Sequence, residues 1–246
     1  MNMAIVLPIT SAAVIAPCIC SDCDARAVSV CSALPAKFLF HLARIAIRGA
    51  ASPNVTFIAE GESAEDYFNV SAGTARVYKL LPNGRRQITG FASAGDFLGL
   101  AVSAQFAFSA EAIDDVEFCR YPRNSWHALI SEFPVMAQFL LDIASNELVA
   151  AQEQMLLLGR KTARERLASF LIELADRATP GQVALPMTRV DIADYLGLTV
   201  ETVSRNMTQL SVDGVISVSR SRTSIAVIDG ARLRALANGS DISSPI

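Results

Sequence analysis

The residues best suited to chemistry are cysteines. Four of the five fall within residues 18–31, as Cys18, Cys20, Cys23 and Cys31, and the fifth, Cys119, stands alone. An odd count cannot be consumed by intramolecular disulfides. Cys20, Cys23 and Cys31 make a C-x2-C-x7-C pattern. Thiolates are soft ligands for zinc, copper(I) or iron–sulfur clusters. Structural zinc sites more often use two close pairs. Three near cysteines with one remote partner lean instead toward an iron–sulfur cluster on four thiolates. A zinc staple and plain surface thiols are the alternatives. Cys18 is the surplus thiol, expected to stay unligated. His41 and His127 lie far apart with no matching nucleophile motif, so an enzyme is not expected.

A second group of residues sits in 188–213, TRVDIADYLGLTVETVSRNMTQLSVD. Thr188 with Asp191 reads as a helix N-terminal cap. Ile192, Ala193 and Leu196 form an apolar face, and Gly197 ends that helix where a left-handed residue is cheap. Thr199 caps a second helix whose Val203, Met207 and Leu210 face inward. Two short helices across a glycine-containing turn are the DNA-binding helix-turn-helix unit. The outward residues Glu201, Ser204, Arg205 and Gln209 suit base edges in a major groove, Arg for guanine and Glu for the cytosine amino group. Residues 215–227 read as two strands with Arg220 and Arg222 at the tip, a wing that meets phosphates. A helical hairpin with a solvated face is the plainer alternative for 188–213.

These groups need scaffolding. Hydrophobic residues make up 52% of the 246 and charged residues 18%, which excludes extensive disorder and allows a core without disulfides. Residues 32–50 read as a short helical stretch through Phe38, Leu39, Leu42, Ile45 and Ile47. From about 55 to 122, short apolar runs and recurrent turns, among them Pro82-Asn83-Gly84, suggest a small β barrel, roll or sandwich. After Pro134, up to about Arg177, there is no proline and one glycine, Gly159. Here Ala144, Leu148, Ala151, Met155 and Leu158 step by 4, 3, 4 and 3, the spacing of a coiled-coil seam. We expect a long helix pairing with its own copy through Ala144, Leu148, Ala151 and Met155. Leu141, Leu156 and Leu157 on the neighbouring face are expected to pack on the β domain. A helix buried in its own core is the alternative.

The formal charge of −3 conceals an asymmetry. Residues 1–159 hold 10 basic and 15 acidic residues, whereas 160–246 hold 11 and 9. The C-terminal part is thus the half suited to an anionic partner. The first 17 residues are apolar, but no basic residue precedes Arg26 and Pro8 interrupts the run. They read as a flexible, unprocessed tail rather than a signal or membrane span, with the protein cytoplasmic. The expected organisation is a tail at 1–17, a loop and sensor at 18–133, a dimerisation helix at 134–159 and a DNA-binding domain at 160–246.

Over residues 18–230 the chain resembles the Crp/Fnr superfamily of bacterial transcription regulators, specifically the Fnr branch. The most specific stretch runs from Asp191 to Arg205, DIADYLGLTVETVSR. The segment Leu156–Leu167 resembles the end of that family's dimer helix and its hinge, and Tyr78–Ile88 resembles its β-roll hairpin. The C-x2-C-x7-C spacing resembles the alphaproteobacterial variants. The resemblance implies an α+β fold: a cyclic-nucleotide-binding-like β-roll (double-stranded β-helix), a long dimerisation helix and a C-terminal winged helix-turn-helix. It implies an oxygen-labile [4Fe–4S] cluster on Cys20, Cys23, Cys31 and Cys119. It implies that Glu201, Ser204 and Arg205 read a TTGAT-type half-site, with double-stranded palindromic DNA and RNA polymerase as partners of a homodimer. Cyclic nucleotide is not expected, because no Arg lies between Arg86 and Arg120 to hold a cyclic phosphate.

Overall fold

The computed structural model describes residues 20, 23–33, 39–100, 104–178 and 183–240. The tail 1–17, Cys18 and the expected turn at Thr179-Pro180-Gly181 lie outside the described residues.

Two four-stranded antiparallel sheets form the N-terminal domain among the described residues. The first has the order β1 (Ile47–Ala51), β8 (Val116–Pro122), β3 (Asp66–Ala72), β6 (Phe97–Leu98). The second has the order β2 (Thr56–Ile58), β7 (Ser109–Ala112), β4 (Ala75–Leu80), β5 (Arg86–Ala92). Phe68, Val70 and Phe118 of the first sheet share a core with Ile58, Ala75 and Ala110 of the second. This is the expected β-roll, with strands remote in sequence as neighbours.

The reading of 32–50 as one helical stretch needs correction. Among the described residues only α1, Leu39–Ile45, is α-helical there; Val30–Ala33 is a 3₁₀ turn, Phe38 lies outside the described residues, and residues from Ile47 onward form β1. Tertiary pairing overrides the local apolar spacing, because β1 runs antiparallel to β8 with Arg48 opposite Cys119 and Gly49 opposite Phe118. Gly49 is required by space. A Cβ there would run into the Phe118 ring.

Pro122 precedes α2 (Arg123–Glu132), and the chain then bends by 120° into α3, Val135–Arg160. Among the described residues no single helix is long and apolar enough to cross a membrane. Thr162 begins α4 (Ala163–Arg177) with a capping box to Glu165. Then come β9 (Val183–Ala184), α5 (Arg189–Leu196), α6 (Val200–Val212), β10 (Ile216–Val218), β11 (Ser224–Val227) and α7 (Gly230–Ala237). β9, β11 and β10 make a three-stranded antiparallel wing sheet. Leu167, Leu171, Ile192, Leu196, Val203, Met207 and Leu210 fill the core of this winged domain.

Candidate cofactor pocket and DNA-reading surface

Two 3₁₀ turns, Asp24–Val28 and Val30–Ala33, carry the N-terminal cysteines onto the roll. The first packs on β3 and the second on α3. A cavity of about 510 Å³ lies beneath them, lined by Cys20, Cys23, Cys31 and Cys119 together with Arg48, Asn69 and Tyr121. All four cysteines are free thiols, and Cys20, Cys31 and Cys119 are buried. Cys119 stands in mid-β8, opposite Arg48 on β1 and Asn69 on β3. The fold thus brings the remote cysteine to the clustered three.

Four thiols around one cavity bear on two donor chemistries. Among the described residues no three His, Cys, Asp or Glu side chains converge closely enough to share one metal ion. Four thiolates on zinc must each lie about 2.3 Å from a single point. Thiolates on a cubane cluster each take a different iron and stand farther apart around a larger body. The cavity that the four thiols line has room for the larger body.

The electrostatics fit a cationic guest too. Cys31 is drawn down from 9.0 to about 6, first by a hydrogen bond from the Cys20 thiol, then, against burial, by Ser29, Tyr121 and the charge of Arg26. Cys119 is pushed up by burial and then by the charges of Cys31 and Cys23. A first thiolate is therefore favoured and further ones are resisted until positive charge enters. The Asn69 Oδ1 and Tyr121 hydroxyl are buried without a hydrogen-bond partner among the described residues. The hydroxyl lies close enough to Cys31 to lower it, although the contact falls short of hydrogen-bond geometry.

The reading surface is built from capped helices. Thr188 and Asp191 form the expected capping box on α5, and Gly197 ends it at φ +62°. Leu198 then closes the turn with its N–H on the Ala193 carbonyl at 3.0 Å. Thr199 accepts from the Thr202 N–H to begin α6. Val203, Met207 and Leu210 are buried, whereas Glu201, Ser204, Arg205 and Gln209 are exposed along the outer face. The Glu201 carboxylate is held below its usual range first by a hydrogen bond from its own backbone N–H and then by one from the Thr199 hydroxyl. Gln209 donates to Asp213 at 2.8 Å. Arg220 and Arg222 are exposed at the tip between β10 and β11, and Arg222 sits at φ +61°.

One basic residue escaped the sequence reading. Arg189 opens α5, half-buried, and its pKa is lowered by burial and then by the charge of Arg222. Two guanidiniums held close enough to repel one another favour an anion at that place. The available signal was an Arg directly after a capping Thr.

The seam residues Ala144, Leu148, Ala151 and Met155 all lie exposed on α3. Leu148 is 61% and Met155 66% exposed. Leu141 and Leu156, expected against the β domain, are exposed as well. Only Leu157 turns inward, against the apolar cluster that joins the winged domain's core to Tyr78 and Ile88 of the roll. The reason is that α3 leaves the roll after Phe139, Leu140 and Ile143, the residues that pack against its apolar cluster.

A β-roll carrying a buried thiol pocket, a long helix with a bare apolar stripe and a winged helix-turn-helix make the architecture of a DNA-binding transcription regulator. Comparison with known proteins agrees. Residues 165–236 match the Crp-like helix-turn-helix domain family, and residues 50–133 match the cyclic nucleotide-binding domain family. The chain is 42% identical to the nitrogen fixation regulation protein FixK of Bradyrhizobium diazoefficiens, over 89% of this chain and 93% of that one. It is 36% identical to the transcriptional activator protein FnrL of Cereibacter sphaeroides, over 87% and 90%. The structure of FixK2 from Bradyrhizobium japonicum superposes with a TM-score of 0.75 at 41% identity, covering 78% of this chain and 97% of that one. The chain belongs to the Crp/Fnr family and binds DNA through its helix-turn-helix.

Proposed function

We propose that this protein is an oxygen-responsive transcription regulator that binds a TTGAT-type inverted repeat as a homodimer while a [4Fe–4S] cluster is held by Cys20, Cys23, Cys31 and Cys119. The observation that carries this reading is the single cavity in which all four thiols meet. When bound, the cluster would supply an oxygen-labile joint between the N-terminal turns and β8.

The chain's own residues do the rest. Val30 and Cys31 share a core with Trp126, Leu129 and Met136, so the turns press on the base of α3. A firmly seated base sets how α3 presents Ala144, Leu148, Ala151 and Met155 to a second copy. Pairing places two α6 helices in successive major grooves about one DNA turn apart. Glu201, Ser204 and Arg205 then read bases while Thr199 fixes the start of α6. Arg220, Arg222 and Arg189 meet phosphates. Because dimerisation doubles the readout, a modest change in pairing switches DNA binding. The seam contains no charge to oppose pairing, so the cluster-free chain dimerises more readily than a strict switch requires.

The remaining assignments follow the same reading: cytoplasmic, with RNA polymerase as a partner and no cyclic nucleotide in the roll. Arg120, the nearest following arginine, is directed to Asp66 at 3.2 Å.

Purification without oxygen tests the proposal. A brown protein with about four irons and four sulfides per chain, which bleaches in air and then loses operator DNA, is the expected result. A colourless protein with one zinc overturns it in favour of a structural metal. A metal-free protein whose DNA binding follows thiol oxidation overturns it in favour of thiol sensing.

A further inference from the structure

Helix α5 is not the DNA-reading helix, yet it is anchored at both ends, and most of the anchors come from the roll and α3 rather than from the winged domain. At its N-terminal end Asp191 is 1% exposed. One of its carboxylate oxygens accepts from the Thr188 N–H at 2.9 Å, completing the helix cap. The other accepts from Arg76 at 3.1 Å and Arg86 at 2.9 Å, both on the β4–β5 hairpin of the sensor. Arg76 is itself held by Asn54 at 3.0 Å and paired with Glu111. Arg86 also reaches Asp194, one turn further along, at 3.2 Å.

At the other end, the last carbonyls of a helix have no partner within it. Here three consecutive ones are taken by three different elements. Gln87 of β5 donates to the Asp194 carbonyl at 2.6 Å. Gln154 of α3 donates to the Tyr195 carbonyl at 3.1 Å. Arg166 of α4 donates to the Leu196 carbonyl at 2.9 Å and to the Leu158 carbonyl, at the end of α3, at 2.9 Å. Phe91 of β5 packs against Phe170 and Tyr195 beneath them.

We infer that α5 is the joint through which the sensor and the long helix set the angle of the reading helix, with Arg86 and Gln154 as positioning residues for DNA binding. The roll grips α5 through Arg76, Arg86 and Gln87, and the pairing helix grips it through Gln154. α6 follows α5 after a tight turn, so its direction relative to α3 is inherited from α5. The base-reading face of α6 stays exposed while these contacts are made. The grip therefore aims the reading head and does not mask it. In a dimer, the angle of each head to α3 decides the distance between the two heads, and hence the half-site spacing that fits.

This inference rests on the dimeric operator-binding reading, and the test separates the two. Full-length protein, purified without oxygen, is titrated against duplexes carrying two half-sites at the preferred spacing or with one or two base pairs added or removed. Wild type should bind the preferred spacing far better than the altered ones. Arg86→Gln and Gln154→Ala, both at partly exposed positions, should keep the fold by thermal unfolding. Each should lose at least about fivefold of that spacing discrimination, the lower end of inter-site coupling, while affinity for a single half-site stays unchanged. Equal weakening at every spacing, or spacing discrimination at the wild-type level, overturns the positioning role. Wild type that ignores paired half-sites overturns the dimeric operator reading, and this inference with it.

Discussion

At the scale of single residues, the two functional groups differ in what surrounds them. Arg205 is exposed, on a face whose inner side is locked by Val203 and Met207. Its guanidinium is free to grip a guanine in bidentate fashion. Arg205→Ala should cost about 1–3 kcal/mol on the cognate site and relax discrimination at one base pair. Competition binding with single-base variants measures this, and equal loss on every sequence would make Arg205 a phosphate contact. Cys31 is the opposite, a buried thiol drawn down from 9.0 to about 6. Between those two values the unfolded chain carries more protons at this site than the folded one. The stability of the cluster-free, reduced protein should therefore rise from pH 6 to pH 9, and this contribution should vanish as pH falls through 6. Urea unfolding across that range should show a flatter pH dependence for Cys31→Ser than for wild type.

At the scale of elements, α3 is the segment whose sequence makes least sense in one chain. Of its 26 residues only Met136 is buried. Leu141, Leu148, Val149, Met155 and Leu156 stand in solvent, more apolar surface than a lone helix face normally leaves uncovered. A second α3 placed along the Ala144–Met155 seam covers it, and the small Ala144 and Ala151 permit close approach. Leu148→Glu would bury two facing carboxylates in such a pair. It should raise the dimer dissociation constant by at least about a hundredfold, ~3 kcal/mol. Sedimentation would report monomers while far-ultraviolet circular dichroism stayed unchanged. A dimer of undiminished stability would show that the seam lies elsewhere.

At the scale of the whole molecule, what was legible in the sequence divides by the range of the interactions. The helix-turn-helix was readable residue by residue, because Thr188, Asp191, Gly197 and Thr199 act on backbone a few positions away. The roll was readable only as a texture, since the pairing of Ile47–Ala51 with Val116–Pro122 is invisible to local spacing. That is why Ile45 and Ile47 looked like one helical face. Cys119 was joined to its partners through family resemblance, and the register of β8 against β1 and β3 supplies the physical reason. Leu141 and Leu156 stand in solvent, because periodicity marks an apolar face without saying what covers it. The anchors of α5 left no trace in local sequence, being drawn from β4, β5, α3 and α4.

The double duty of Asp191 has a consequence for how such proteins can be recombined. Its two oxygens serve separate masters, the cap of its own helix and two arginines of another domain. The winged domain is consequently not a portable cassette. A chimera that moves residues 160–240 onto a foreign sensor would leave Asp191 buried against whatever replaces Arg76 and Arg86. Its α5 would begin on a carboxylate without its counter-charges. Grafts that carry the β4–β5 hairpin along with the reading head should fold and bind where grafts cut at the hinge do not. The unit of exchange is the head together with the strands that hold it.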